Sequence, residues 1–388
     1  MSPLERQLQA VAALSQAGKH ADAVAKLRPL QRAHPNSFEV HTWLAYELAA
    51  LKQLDQAEFA AARAVALRPD VPTATVTLAN ILIERKNLAR AAEVLAASHA
   101  SNPAHLETSL GLLAILDRLQ RNDRIVEIAR ACIERGHDDV ETHVFLGVST
   151  FELGRPNEAG AVMDRAAGKY PDYERLLSLR AAIALYRDDL APQQVAAAAR
   201  DYGLALERTI AVDAAAATPS ARPREGRRTR VGFISADFRR HACAHFYAGL
   251  FPGLDRSKYE VRVYHQSPTE DEVTALLRGH VDALENTSRL KPDELLAKLR
   301  GDELDVLIEG SGHTFGQALP VLHRRAAPVQ ASWMGYPGST GGKAIDWRMS
   351  DAFVDPPERD GELVERPMRI EGCGLAFHPI DEWPDAAA

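Results

Sequence analysis

Three prolines, Pro35, Pro69 and Pro103, stand 34 residues apart, and this spacing limits the first half of the chain more than any other feature. A period of 34 is that of the tetratricopeptide repeat, a helix–turn–helix unit that buries its apolar face only by stacking on copies of itself. The next two slots hold His137 and Pro171. Twelve residues before the five slots stand Ala23, Ala57, Ala91, Ile125 and Ala159, mostly small residues of the kind that let paired helices approach closely. Leu44, Leu78, Leu112 and Leu146 recur at the same period on the first helix of each pair. Gly18 and Gly154 fall at turns between helices, where a left-handed backbone is needed. The register predicts an array of about five repeats over residues 1–173, counted from residue 4. Such an array presents a concave surface to a protein partner. Its inner faces carry no asparagine ladder.

Residues 174–210 read as two more amphipathic helices. Leu176, Leu177, Leu179, Ala184 and Leu185 mark the first; the second runs from Val195 to Leu206, after Asp189 and Pro192. They are expected to close the array, so that residues 1–210 fold on their own. Residues 211–229, rich in Ala, Pro and Arg, read as a linker. Its arginines, Arg222 to Arg228, are too short a run to argue for nucleic acid. The net charge of −7 also gives no support for a nucleic-acid or membrane surface. Cys132, Cys243 and Cys373 are scattered, without a C-x-x-C pair, which excludes a cysteine-rich zinc site and fits a reducing compartment. No apolar run is long enough to span a membrane, and the start of the chain lacks a signal-peptide core. These features point to a cytoplasmic protein.

From residue 230 to 388 strand-like and helix-like stretches alternate, which predicts a Rossmann-like parallel sheet with crossover helices. Strands are expected at 230–235, 260–265, 304–309, 328–333 and, more weakly, 347–353. Helices are expected at 241–251, 270–279, 292–300 and 316–324. The polar turns after the strands then gather at one edge of the sheet, where open α/β folds bind ligands. The first of them leads to His241, which by its chemistry can accept a proton or orient a hydroxyl. A capped helix carrying a surface histidine is the plainer reading of the same residues.

Two turns resemble phosphate loops and fail as such. The run Gly310 to Gly316 has its third glycine one residue late for the dinucleotide fingerprint, and the run Pro337 to Ala344 lacks both the first glycine and the final Ser or Thr of a P-loop. No Asp-x-Asp occurs to bridge a diphosphate through a metal. His241 and His245 have helical metal-ligand spacing, but no H-E-x-x-H glutamate and no evident third ligand accompany them.

These stretches together carry a resemblance. Arg230 to Phe238 followed by His241 and His245, then Ser311 to Thr314, Ala327 to Gln330, Gly335 to Gly341, Asp346, Ser350 to Ala352 and Pro356-Pro357 resemble the first catalytic lobe of the O-linked N-acetylglucosamine transferases, in particular their bacterial Spindly-like branch. Tetratricopeptide repeats ahead of this lobe are also that family's order. The resemblance implies an all-α repeat superhelix followed by half of a two-lobed, Rossmann-like glycosyltransferase, which moves a sugar from a nucleotide donor to Ser or Thr of proteins. It implies UDP-GlcNAc as donor, no metal cofactor, and an acceptor protein or peptide on the repeat array. It places His241 at the catalytic position and His245, His313, Thr314, Met334, Gly335, Tyr336, Pro337 and Gly338 around the substrates. Two places depart from the family pattern: Ala242 stands where Pro is usual, and Glu309-Gly310 where Asp-Leu or similar is usual. The family's second, donor-binding lobe is expected to be missing from this sequence. That leaves a truncated product, one half of a split enzyme whose second lobe comes separately, or a non-catalytic repeat scaffold with a relic lobe.

Overall fold

The computed structural model describes residues 2–210, 219 and 226–380. Most of the expected linker, Arg222 and Arg224 included, therefore lies outside the described residues. The chain divides into two compact units, residues 1–162 and 163–388.

The first unit is built from helix pairs: α1 (Pro3–Gln16) with α2 (His20–Ala33), α3 (Phe38–Ala50) with α4 (Leu54–Leu67), α5 (Pro72–Glu84) with α6 (Leu88–Ser101), and α7 (Leu106–Arg118) with α8 (Asn122–Glu134), followed by α9 (Val140–Glu152) and the start of α10 (Pro156–Lys169). The sequence period reappears in the packing. Ala23, Ala57, Ala91, Ile125 and Ala159 are all fully buried, and Leu44, Leu78, Leu112 and Leu146 are buried beside them. Ser37 and Asp139 cap α3 and α9 by accepting the amides of Val40 and Thr142. The turn inside each pair repeats too. Gly18, Lys52, Lys86, Gln120 and Gly154 have φ of 70°, 59°, 62°, 53° and 76°. The left-handed residue thus recurs every 34 positions, although only two of the five are glycine. A long polar side chain tolerates this single strained position because the hydrogen bonds of both flanking helices fix it.

In the second unit all seven strands are parallel: β1 (Thr229–Ser235), β2 (Tyr259–His265), β3 (Ala283–Asn286), β4 (Val306–Glu309), β5 (Val329–Trp333), β6 (Trp347–Ser350) and β7 (Arg366–Arg369), in the spatial order 3-2-1-4-5-6-7. The strand order reverses between β1 and β4, so the crevice at their carboxyl ends is the topological switch point. One sheet face packs Phe233, Val261, Val263 and Trp333 against α13 (Ala244–Leu250) and α14 (Glu272–Arg278). The other packs Ile234, Tyr264 and Leu307 against α15 (Pro292–Gly301) and α16 (Leu319–His323).

This second face also takes in the pair expected to close the array. Leu177 of α11 (Glu174–Ala184) and Tyr202, Ala205 and Leu206 of α12 (Pro192–Thr209) are buried in the same core as Leu295, Leu322 and Ile345. An apolar face marks a helix for burial without saying against what, and here the sheet unit takes it. The described linker arginines are structural as well. Arg227 forks onto Asp305 with bonds of 2.6 and 2.7 Å, and Arg228 reaches Asp282 at 2.8 Å. A fragment of residues 2–169 is therefore expected to give a helical circular dichroism spectrum and a cooperative melt. One of residues 226–380, stripped of α11 and α12, should expose Leu295 and Leu322 and aggregate; a soluble, cooperatively melting 226–380 fragment counts against the shared core.

Candidate active site at the carboxyl edge of the sheet

The carboxyl ends of β1, β4 and β5 lie side by side, and their turns are locked by close backbone contact. A Cβ on Gly335, just after β5, would stand 1.9 Å from the carbonyl oxygen of Gly310, just after β4. Ser235, the last residue of β1, meets Ser311 at 3.1 Å between hydroxyls and accepts the Asp237 amide at 3.1 Å. Tyr247 of α13 lies beneath this junction, edge-on to Trp333. The expected helix from His241 begins only at Ala244; residues 239–243 form a bend that leads into it.

His241 sits in that bend, about a third exposed. Its Nδ1 accepts the Cys243 amide at 3.2 Å and lies 3.6 Å from Oδ1 of Asp237. With Nδ1 turned inward, Nε2 is the outer nitrogen of the ring. Burial pushes the Asp237 carboxyl above the usual carboxylate range, and the facing His241 offsets part of this. Burial also pushes the Cys243 thiol up to about 12, with the Asp237 carboxylate beside it adding to the effect. Glu309, at the end of β4, is fully buried; burial pushes it up to about 7, although the amides of Ser311 and Gly312 donate to it at 2.7 and 2.8 Å.

The other expected site residues fall into two groups. Thr314 and Met334 sit on the turns that face the crevice; Thr314 donates its hydroxyl to the Ser311 carbonyl, and Met334 has φ of 69°. His245, the second residue of α13, accepts the Ile380 amide at Nδ1 and stacks on Phe377, so it holds the segment 377–380. His313 and Tyr336 point the other way. His313 is buried against Ser178 of α11 (3.0 Å) and against the rings of Tyr202 and Tyr336, and burial takes it down to about 3, so it is neutral. The Tyr336 hydroxyl donates to the Ala181 carbonyl at 3.1 Å. With Pro337 and Gly338 it lines a narrow crevice of about 50 Å³ against Val195 and Ala199 of α12.

The glycine-rich run after β5 is the clearest departure from expectation. Small residues in such a run let backbone amides approach a ligand closely. Instead, Gly335 donates to the Trp333 carbonyl, Thr340 to the Glu365 carboxylate, Gly341 to the Ser339 hydroxyl and Gly342 to the Thr340 hydroxyl. The close approach is to α12: a Cβ on Gly341 would meet the Ala199 carbonyl at 1.8 Å, and one on Gly203 the Gly341 carbonyl at 1.8 Å. Lys343, the lysine of the near-miss P-loop, pairs with Glu207 of α12 at 3.0 Å. Arg348 and Glu365, both buried, clamp the run from below, Arg348 through the carbonyls of Tyr336, Pro337 and Gly338. Sequence reading did not single out either residue, nor Asp237 as a partner of His241, although the i, i+4 spacing of Asp237 and His241 was visible.

Comparison with known proteins settles the family. A model described as glycosyl transferase family 41 matches residues 173–367, just over half of the chain. The chain belongs to glycosyl transferase family 41. Its relatives include the Arabidopsis thaliana protein named probable UDP-N-acetylglucosamine-peptide N-acetylglucosaminyltransferase SPINDLY, 32% identical over 156 residues. That alignment covers 39% of this chain and 17% of the relative. The Arabidopsis relative named SEC is 30% identical over 153 residues, covering 39% and 16%. The chain thus spans about a sixth of the length of these relatives. Among solved structures, an O-GlcNAc transferase mutant of Thermobaculum terrenum has the same fold, with a TM-score of 0.58 at 24% identity over 90% of this chain and 61% of that one. The family 41 match begins at residue 173, so it takes in α11 and α12, the helices that share the core of the sheet unit. Among the described residues no helix is long and apolar enough to cross a membrane.

Proposed function

We propose that this chain carries the acceptor-side half of a protein O-glycosyltransferase that transfers N-acetylglucosamine from UDP-GlcNAc to Ser or Thr hydroxyls. The observation that carries this reading is the Asp237–His241 pair at the switch point, in a chain of family 41. A partly exposed imidazole beside a buried carboxylate can take a proton from an attacking hydroxyl at Nε2 once Nδ1 gives up the Cys243 amide and turns a proton toward Asp237, whose carboxylate then steadies the imidazolium. Thr314 and Met334 border the same crevice and are assigned to the sugar. On the repeat unit, a hollow between α1, α3 and α5 exposes Trp43 and Tyr46, edge-to-face at 6.3 Å, and is assigned to the acceptor chain. The direct test is transfer of labelled sugar to a protein acceptor at millimolar donor, with His241→Ala as the control; label that persists unchanged in that variant refutes the assignment.

The donor's diphosphate is poorly served by the residues described. Stabilising it as a leaving group needs preorganised donors or cations. The glycine-run amides are spent internally, and Lys343 is paired with α12. Calorimetric titration of this chain with UDP-GlcNAc is therefore expected to show a Kd no tighter than about 1 mM, near 4 kcal/mol. A micromolar constant would mean that one of the two glycine turns opens to bind the nucleotide. The same features favour the rival reading, a non-catalytic repeat scaffold. An absence of transfer even when a second lobe from a relative is supplied would establish it.

A further inference from the structure

We propose that Asp237, His241 and Cys243 form a three-ligand site for a zinc-type divalent cation, and that occupancy withdraws His241 from the acceptor crevice. The three side chains each offer one ligand atom, a carboxylate oxygen, a ring nitrogen and a thiol sulfur, and these atoms lie within 4.8 Å of one another. Oxygen, imidazole and thiolate together are a donor set that zinc accepts and that magnesium and calcium do not favour. Bond lengths of about 2.0–2.3 Å place tetrahedral ligands roughly 3.3–3.7 Å apart, so the ligands must converge by about an ångström. The bend at 239–243 can supply that movement, since two of the three ligands lie on it and α13 starts only at Ala244. His241 must also release the Cys243 amide from Nδ1, a 3.2 Å bond with little to lose.

The electrostatics of the cluster turn from a cost into a gain when a cation arrives. In the metal-free state burial opposes the ionisation of both groups; the Asp237 carboxylate holds the Cys243 thiol back further, while the thiol's hydrogen bond favours the carboxylate. A dication attracts both anions. Binding releases the Cys243 proton to solvent and takes His241 as the neutral imidazole, so no other reactant is needed. Arg239, close enough to Asp237 to lower its pKa, works against the cation and keeps the site weaker than a structural zinc centre. The exposed side of His241 leaves a fourth position for water, the arrangement of an open site. Neither reading of the sequence produced this cluster, because the expected pairing was His241 with His245, and His245 is engaged with Ile380 and Phe377.

The part of the proposal that concerns inhibition rests on the role given to His241 above; the binding part does not. Cobalt(II) chloride is the probe. Titrating the full chain with it should raise a sulfur-to-cobalt charge-transfer band in the near ultraviolet and tetrahedral bands in the visible, and zinc chloride should abolish them. The charge-transfer band should vanish in Cys243→Ser and survive in Cys373→Ser, which removes the exposed thiol. Asp237→Asn should weaken binding by about tenfold or more. Circular dichroism confirms that each variant is folded. A missing band in the wild-type chain, or a band that follows Cys373 instead of Cys243, overturns the site. In any preparation that transfers sugar, zinc should slow the wild type and spare Cys243→Ser. Cobalt binding at Cys243 with no effect of zinc on the rate would leave the cation site standing and remove His241 from the reaction.

Discussion

Arg348→Ala should cost the sheet unit about 3–5 kcal/mol, the range for breaking a buried charge pair by removing one partner. The guanidinium is almost wholly buried. Its Nε donates to Asp355 at 2.6 Å, and its two terminal nitrogens donate to the carbonyls of Tyr336 (3.2 Å), Gly338 (2.8 Å) and Pro337 (2.9 Å). Alanine leaves a buried carboxylate without a counter-charge and three carbonyls without donors. Lysine should rescue little, because an ammonium on a flexible stem cannot reproduce the planar fork. Urea denaturation in a Trp43→Phe background, where Trp333 and Trp347 supply most of the signal, should show a lower midpoint with an unchanged slope. Adding Asp355→Asn to Arg348→Ala should recover part of the loss, since the orphaned charge is then gone. A loss below about 1 kcal/mol would mean that the run 336–338 is held by α12 alone.

This clamp shows where sequence legibility stopped. A charged residue in a short polar stretch reads as surface, so nothing marked Arg348 or Glu365 as the frame of the glycine run. The glycines themselves were visible, and glycine admits close approach, but the sequence does not say what approaches. The counterpart was Gly203, in the middle of α12, where a glycine is unfavourable unless a neighbour's backbone needs the space. The repeat array was legible because the same geometry is imposed five times, and each copy checks the others. The expected strands in the centre of the sheet, from Phe233-Ile234 to Ala331-Trp333, were visible as apolar runs. The two strands not expected, β3 and β7, are four-residue edge strands, Ala-Leu-Glu-Asn and Arg-Pro-Met-Arg, half exposed and too short for a period of two to declare itself. Proline is tolerated in β7 because an edge strand leaves one row of amides unpaired. Of the candidate site, the position of His241 at a sheet edge was readable from the strand before it. Its backing by Asp237 was not, because that depends on the bend at 239–243 delaying the helix to Ala244.

His241→Ala is expected to lower the rate of sugar transfer by about 10²–10⁴, the usual loss for a positioned acid–base group, while His245→Ala should cost less than about tenfold. The contrast follows from what each ring already does. His245 is occupied with Ile380 and Phe377, so its removal loosens the segment 377–380 and leaves the crevice intact. His241 has Nε2 as its outer nitrogen, and its Nδ1 can turn from the Cys243 amide to Asp237. If it accepts the proton of the acceptor hydroxyl, the loss should appear in kcat at saturating donor and leave donor affinity nearly unchanged, since only the transition state carries the transferred proton. Asp237→Asn separates chemistry from mere support. A positioning carboxylate that steadies an imidazolium should, when neutralised, lower kcat at saturating donor and leave the donor KM nearly unchanged. A purely structural aspartate would change stability and leave kcat where it was. Equal and small effects of His241→Ala and His245→Ala would reduce His241 to a surface histidine at a helix start, and the scaffold reading would then account for the whole chain.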